Sequence, residues 1–144
     1  MSKRLKDSVN ATFHLHPMEG VAVSALEDGL MIVDQTACAL YNNVAYHGFE
    51  GLAVEAEEGP AIAEGLGEKF AMIMSNHGLM TVGRTVEEAV GWFVMAERVA
   101  EVHVKAPNGK AISDGAAAVA AATMSTDLTG WRVFQWLRRS VLDG

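Results

Sequence analysis

"KFAMIMSNHG", residues 69–78, decides the fold. Its apolar run from Phe70 to Met74 reads as a compact strand, and it runs out into a polar tip at Ser75, Asn76 and His77. Gly78 lets the chain reverse sharply beside that tip. The strongest helix signal follows at once in "RTVEEAVGWFVMAERVAEVHVKA", residues 84–106. Thr85 and Glu88 have capping-box spacing, and Val86, Ala89, Val90, Phe93, Ala96, Val99 and Val102 step by three or four, which predicts about five helical turns.

Working toward the N-terminus, "EAEEGPAIAEGLG" (55–67) crowds acids into a first turn and ends on Gly67, so a helix is predicted there, with Pro60 tolerated only in the first turn. "VAYHGFEGLAV" (44–54) reads as extended with glycine-bearing turns, "TACALYNN" (36–43) as a helix ending on asparagines, and "LMIV" (30–33) as a short apolar run. "MEGVAVSALEDG" (18–29) suits a helix stopped by Gly29. "ATFHLH" (11–16) alternates in period two, with Phe13 and Leu15 on one face and His14 and His16 on the other, as a half-buried strand does. Toward the C-terminus, Pro107 and Gly109 break the long helix and Ser113 is placed to cap an alanine-rich one. "WRVFQWLRRSVL" (131–142) offers Trp131, Phe134, Leu137, Val141 and Leu142 as one apolar stripe. Strands alternating with helices define an α/β protein.

The chain has 144 residues, half of them hydrophobic and 20% charged, with 14 Gly and 3 Pro, which predicts one globular domain over 1–144. Its 18 acidic against 11 basic residues give a net charge of −7, which argues against nucleic acid as a partner because phosphate backbones demand a positive face. No apolar run has the length of a signal peptide or a membrane span, so neither export nor a membrane role is expected. The single Cys38 cannot form an intrachain disulfide and fits a cytoplasmic setting; it reads as a small core residue.

Two histidines at i and i+2 on one strand project from the same face, so His14 and His16 can reach one cation without bending the backbone. His77, in the turn after another strand, is the candidate third ligand. Three neutral imidazoles with a coordination position left open make the arrangement a catalytic zinc needs. The same H-x-H also suits two histidines lying on the wet face of a sheet, and the spacing by itself does not choose. His103, late in the long helix, suits a cation interacting with the helix dipole.

"HLHPMEGVAVSAL" (14–26), "YNNVAYHGFEG" (41–51), "MIMSNHGLMTVGRTVEEA" (72–89) and the Glu97–Arg98 pair, in that order, resemble the C-terminal portion of the class II aldolase/adducin family, particularly its bacterial adducin-like branch. The resemblance implies a three-layer α/β/α fold with a mainly antiparallel central sheet, truncated at the N-terminus. It also implies that His14, His16 and His77 hold Zn2+ or another divalent metal, which stabilises charge on substrate oxygens while a carbon–carbon bond breaks. The substrate class would be a small sugar-like or hydroxy-carbonyl compound.

The family's N-terminal part, with its phosphate-holding loops and acidic ligand, is expected to be absent. The tyrosine that some aldolases contribute from a neighbouring subunit would fall near Gln35. Glu50 and Tyr46 are weak candidates for proton transfer, with turn and core roles as their alternative. A sheet lacking early strands would leave an open edge, so a homo-oligomer is expected, a tetramer by resemblance. The expected activity is that of a metal-dependent lyase, weak or inactive if truncation removed essential parts; the alternative is a noncatalytic adducin-like binding or assembly module.

Overall fold

A computed structural model describes residues 8–49 and 58–142. In chain order it contains β1 (Ala11–Leu15), α1 (Met18–Ser24), a 3-10 helix (Thr36–Leu40), β2 (Val44–His47), α2 (Glu58–Leu66), β3 (Ala71–Met74), β4 (Gly78–Gly83), α3 (Val86–Lys105), α4 (Asp114–Met124) and α5 (Thr129–Leu142). The four strands form one sheet in the order β1-β4-β3-β2. The β1–β4 and β4–β3 pairings are antiparallel and β2–β3 is parallel, so the sheet is mixed while remaining mainly antiparallel.

Every residue of β3 and β4 is buried, because these two strands are central and covered on both faces. That explains why they read as continuous apolar runs and not as alternating ones. The register aligns Phe13, Thr81 and Ala71 across three strands. On that face Phe13 meets the ring of Phe93 edge-on, 5.0 Å between centroids, and Thr81 donates its hydroxyl to the Ala89 carbonyl at 2.7 Å. α1 and α3 therefore cover one face. On the other, a Cβ at Gly65 of α2 would lie 3.6 Å from the tip of Met72, which places α2 there and completes three layers. Phe70 stacks on Trp92 with centroids 3.9 Å apart, and both are fully buried.

Local chemistry sets the helix boundaries. Thr85 accepts the Glu88 amide at 3.2 Å, while the Glu88 carboxylate accepts the Arg84 amide at 2.9 Å, a capping box displaced by one residue. Pro60 falls in the first turn of α2, and Gly67 takes φ +57° just past its end. Other expectations need correcting. α1 ends at Ser24, short of Gly29; residues 36–40 form a 3-10 helix; and 78–83, which the sequence reading left without a strand, form β4. The stripe on α5 is only half covered: Phe134 and Leu137 are partly buried, while Trp131, Val141 and Leu142 stay exposed. Among the described residues no helix is long and apolar enough to cross a membrane.

Candidate metal centre

β1 and β4 pair so that His14 lies opposite Met80 and Leu15 opposite Leu79, which brings His16 to the end of β4 where Gly78 begins it. A Cβ on Gly78 would sit 2.7 Å from the Leu15 carbonyl oxygen and 3.1 Å from the His16 ring, so only glycine permits this approach. His77 precedes Gly78 in the three-residue turn that joins Met74 to Gly78. Asn76 holds φ +55° in that turn, a conformation asparagine tolerates better than most residues. The turn is fastened by amide donation from Ser75 to the His47 carbonyl (2.8 Å), from Asn76 to the Ser24 carbonyl (3.0 Å) and from His77 to the Met74 carbonyl (3.0 Å).

The outcome is a triangle of imidazoles. Ring centroids lie 4.8 Å apart for His14 and His16, 4.9 Å for His14 and His77, and 4.5 Å for His16 and His77. One nitrogen from each ring falls within 4.8 Å of the others. His14 donates Nδ1–H to the Leu79 carbonyl oxygen at 2.8 Å, which leaves the neutral ring's lone pair on Nε2. The His16 Nε2 is 3.0 Å from that Nε2. Two lone pairs so close repel unless a proton or a cation lies between them, and a tetrahedral zinc with bonds of about 2.0–2.1 Å would set its ligand nitrogens about 3.3 Å apart. The donor set fits a divalent metal. Orientation of a ligating histidine by a backbone carbonyl on its other nitrogen is the usual supporting arrangement, and no residue-type pattern could have revealed the Leu79 carbonyl in that role. His14 and His77 are partly buried and His16 is exposed, so the triangle opens to solvent.

The remaining candidates lie elsewhere. The Tyr46 hydroxyl accepts the Leu30 amide at 3.0 Å and its ring packs over Gly29, a turn-fastening role for a side chain 52% exposed. Glu50 lies outside the described residues. Gln35 is the N-terminal cap position of the 3-10 helix. Cys38 is buried in the core, its thiol directed to the Asp34 carbonyl. His103 departs from its expected role: it is buried, not cationic at a helix end, and burial holds its pKa below the usual histidine range. The sequence reading gave Glu97 no role beyond its place in the Glu97–Arg98 pair. Burial, followed by the neighbouring Glu19 carboxylate, pushes its carboxyl up to about 7, and its Oε2 is buried with no hydrogen-bond partner.

The family described as "Class II Aldolase and Adducin N-terminal domain" matches residues 4–104. Decarboxylase NovR of Streptomyces niveus is 32% identical over 143 residues, covering 96% of this chain and 53% of that protein. Mouse (Mus musculus) alpha-adducin is 44% identical over 77 residues, covering 53% of this chain and 10% of that protein. The solved structure of L-fuculose 1-phosphate aldolase from Glaciozyma antarctica PI12 superimposes with a TM-score of 0.77 at 33% identity, over 93% of this chain and 53% of that one. The chain thus spans about half the length of decarboxylase NovR and of this aldolase. The match over 4–104 includes all three histidines of the triangle, and the chain belongs to the class II aldolase and adducin family.

Proposed function

We propose that this chain is a divalent-metal-dependent lyase of class II aldolase type, acting on a small sugar-like or hydroxy-carbonyl compound. The observation that carries the reading is the convergence of His14, His16 and His77 with His14 Nε2 turned inward by the Leu79 carbonyl. Those three side chains would hold the metal, zinc being the first candidate for an all-imidazole set. When bound, it supplies Lewis-acid stabilisation of negative charge developing on substrate oxygens. The chain's own residues do the positioning. The β1–β4 pairing fixes His14 relative to Gly78, the pinned turn holds His77, and the exposure of His16 leaves substrate a way in. Neutral imidazoles would leave the metal's charge undiminished. The names decarboxylase and aldolase, borne by two relatives, share the breaking of a carbon–carbon bond.

We read residues 1–144 as one domain of a cytoplasmic homo-oligomer, a tetramer by family resemblance; exposed Leu15 and Met18 beside the histidines are apolar surface that a neighbouring copy would cover. The decisive experiment is a metal analysis of the purified protein joined to an assay of hydroxy-carbonyl and hydroxy-acid cleavage with and without chelator. Metal-dependent turnover is expected.

Two observations favour a second reading, an adducin-like assembly module without catalysis. The segment shared with alpha-adducin is 44% identical, and among the described residues no carboxylate joins the three histidines as a fourth group. Stoichiometric metal with no turnover of either substrate class would select this reading; a protein that neither binds metal nor turns over substrate would remove the lyase proposal.

A further inference from the structure

Glu97 of α3 faces the first turn of α1, and its Oε2 is buried without a hydrogen-bond partner. Glu19 and the Gly20 amide meet its carboxyl from α1, and Glu101 faces it from its own helix. Lys105, ion-paired with Glu101, also attracts Glu19, and Arg98 attracts Glu101. Two facing carboxylates are both acceptors, so the Glu97–Glu19 contact becomes a hydrogen bond only when one of them carries a proton. Burial, then Glu19, hold that proton on Glu97 up to about 7, against the opposing pull of the Gly20 amide. α1 in turn props two parts of the histidine triangle. Gly20 packs so closely on β4 that a Cβ there would come within 2.8 Å of the Leu79 side chain, and it is the Leu79 carbonyl that orients His14. At the other end of α1 the Ser24 carbonyl accepts the Asn76 amide at 3.0 Å, one residue before His77. α3 lies on the Phe13 face of the sheet and His14 and His16 point to the other, so Glu97 acts on them through α1.

We infer that the Glu97–Glu19 contact is a pH-sensitive clasp on the metal centre. With one proton shared between the two carboxyls, α1 stays seated against Leu79 and Asn76. Loss of that proton sets two like charges against each other across the α1–α3 join, eases the first turn of α1 away from α3 and loosens the hold of His14 and His77 on a divalent cation. The sign follows from linkage. The seated form binds the proton more tightly than a form in which the carboxyls part, so removing the proton favours parting. Metal affinity that depends on the seated form therefore falls as pH rises through the Glu97 titration, and metal binding in turn favours the protonated clasp. The inference rests on the reading that the three histidines hold a divalent metal.

The test measures zinc affinity of the full chain by competition with a chromophoric chelator at a series of pH values from acid to alkaline of neutrality, for wild type and for Glu97→Gln, whose amide stays neutral throughout. Protonation of the three histidines affects both proteins alike and cancels in the ratio of their affinities. The two should bind zinc equally well on the acid side, and wild type should bind roughly threefold more weakly on the alkaline side. Glu19→Gln removes the facing charge and should move the midpoint of the wild-type change to lower pH. In the metal-free protein, NMR of the Asn76 and Leu79 amides should show a titration that Glu97→Gln lacks. A ratio independent of pH in two proteins that both bind zinc, or identical amide titrations in the two, overturns the clasp and leaves the metal site in place. If Glu97→Gln folds poorly, Glu19→Gln decides alone, and an unmoved midpoint overturns the clasp. Absence of zinc binding in every variant and in wild type removes the lyase reading and the clasp with it.

Discussion

The central strands and the C-terminal helices are built on opposite principles. β3 and β4 bury every residue, whereas α4 buries only Ala117 and α5 only Gly130. The family match also ends at residue 104, one short of the end of α3. The core-forming part is thus closed by strand pairing over long sequence distances, and the last two helices are attached to it from outside. α5 is held to α3 by backbone proximity more than by side-chain burial: a Cβ on Gly91 would come within 1.7 Å of the Gly130 carbonyl oxygen. Burial in one region and close approach in the other are different sources of stability, and they respond to different substitutions.

The largest expected effect is in the core. Trp92→Ala removes a fully buried ring stacked on Phe70 and should cost about 3–5 kcal/mol in denaturant unfolding. Trp136→Ala, at a side chain 61% exposed, should cost about 0.5 kcal/mol. Equal losses would erase the contrast between the two regions.

Next comes the metal centre, which is held by the paired strands and by the turn that α1 pins through the Ser24 carbonyl. His16→Ala should lower zinc affinity at least roughly tenfold, while His103→Ala should leave occupancy unchanged when both are measured by metal analysis of refolded protein. Similar occupancy in the two variants would remove the ligand assignment. Gly91→Ala sharpens the comparison from the other side. It should cost about 2 kcal/mol and expose α5 to limited proteolysis, yet leave zinc binding intact. Loss of metal in that variant would show that the C-terminal helices help to hold the site.

The smallest effect is a pH dependence at the join of α1 and α3. Glu97 titrates at about 7 in the folded chain, above the usual carboxylate value. A raised pKa means that the folded state holds the extra proton, so the contribution is fully present below the unfolded carboxylate value and is lost as pH rises toward 7. Because Glu97 is only partly buried, the loss should be no more than about 1 kcal/mol. Tm measured from pH 5 to 8 should decline more in wild type than in Glu97→Gln. Parallel curves would show that Glu97 does not titrate in this range.

Much of this was legible in advance. The apolar run 70–74, the capping of α3 by Thr85 and the alternation of residues 11–16 each depend on local periodicity, which a sequence carries directly. β4 escaped because a strand buried on both faces has no alternation to detect, and Gly78 and Gly83 at its ends read as turn residues. His103 was read as a cation interacting with the helix dipole because helix position alone ignores the loop that covers it; the Met31 amide reaches it from 72 residues earlier. Glu97, named only as half of a motif pair, was not read as a raised carboxyl for a related reason, since burial in the folded chain and then Glu19 on another helix raise it.

The order of residues by itself determined most of the strands and helices, β4 excepted, that His14 and His16 share a face, and which family the three motifs belong to, because each of these depends on residues close together in the chain. Tertiary structure alone decided that His77 meets them, that the Leu79 carbonyl sets the His14 tautomer, and that His103 is buried while Trp136 is not. Those facts depend on which distant segments come into contact, and contact between distant segments is settled only when the whole sheet and its covering helices pack together.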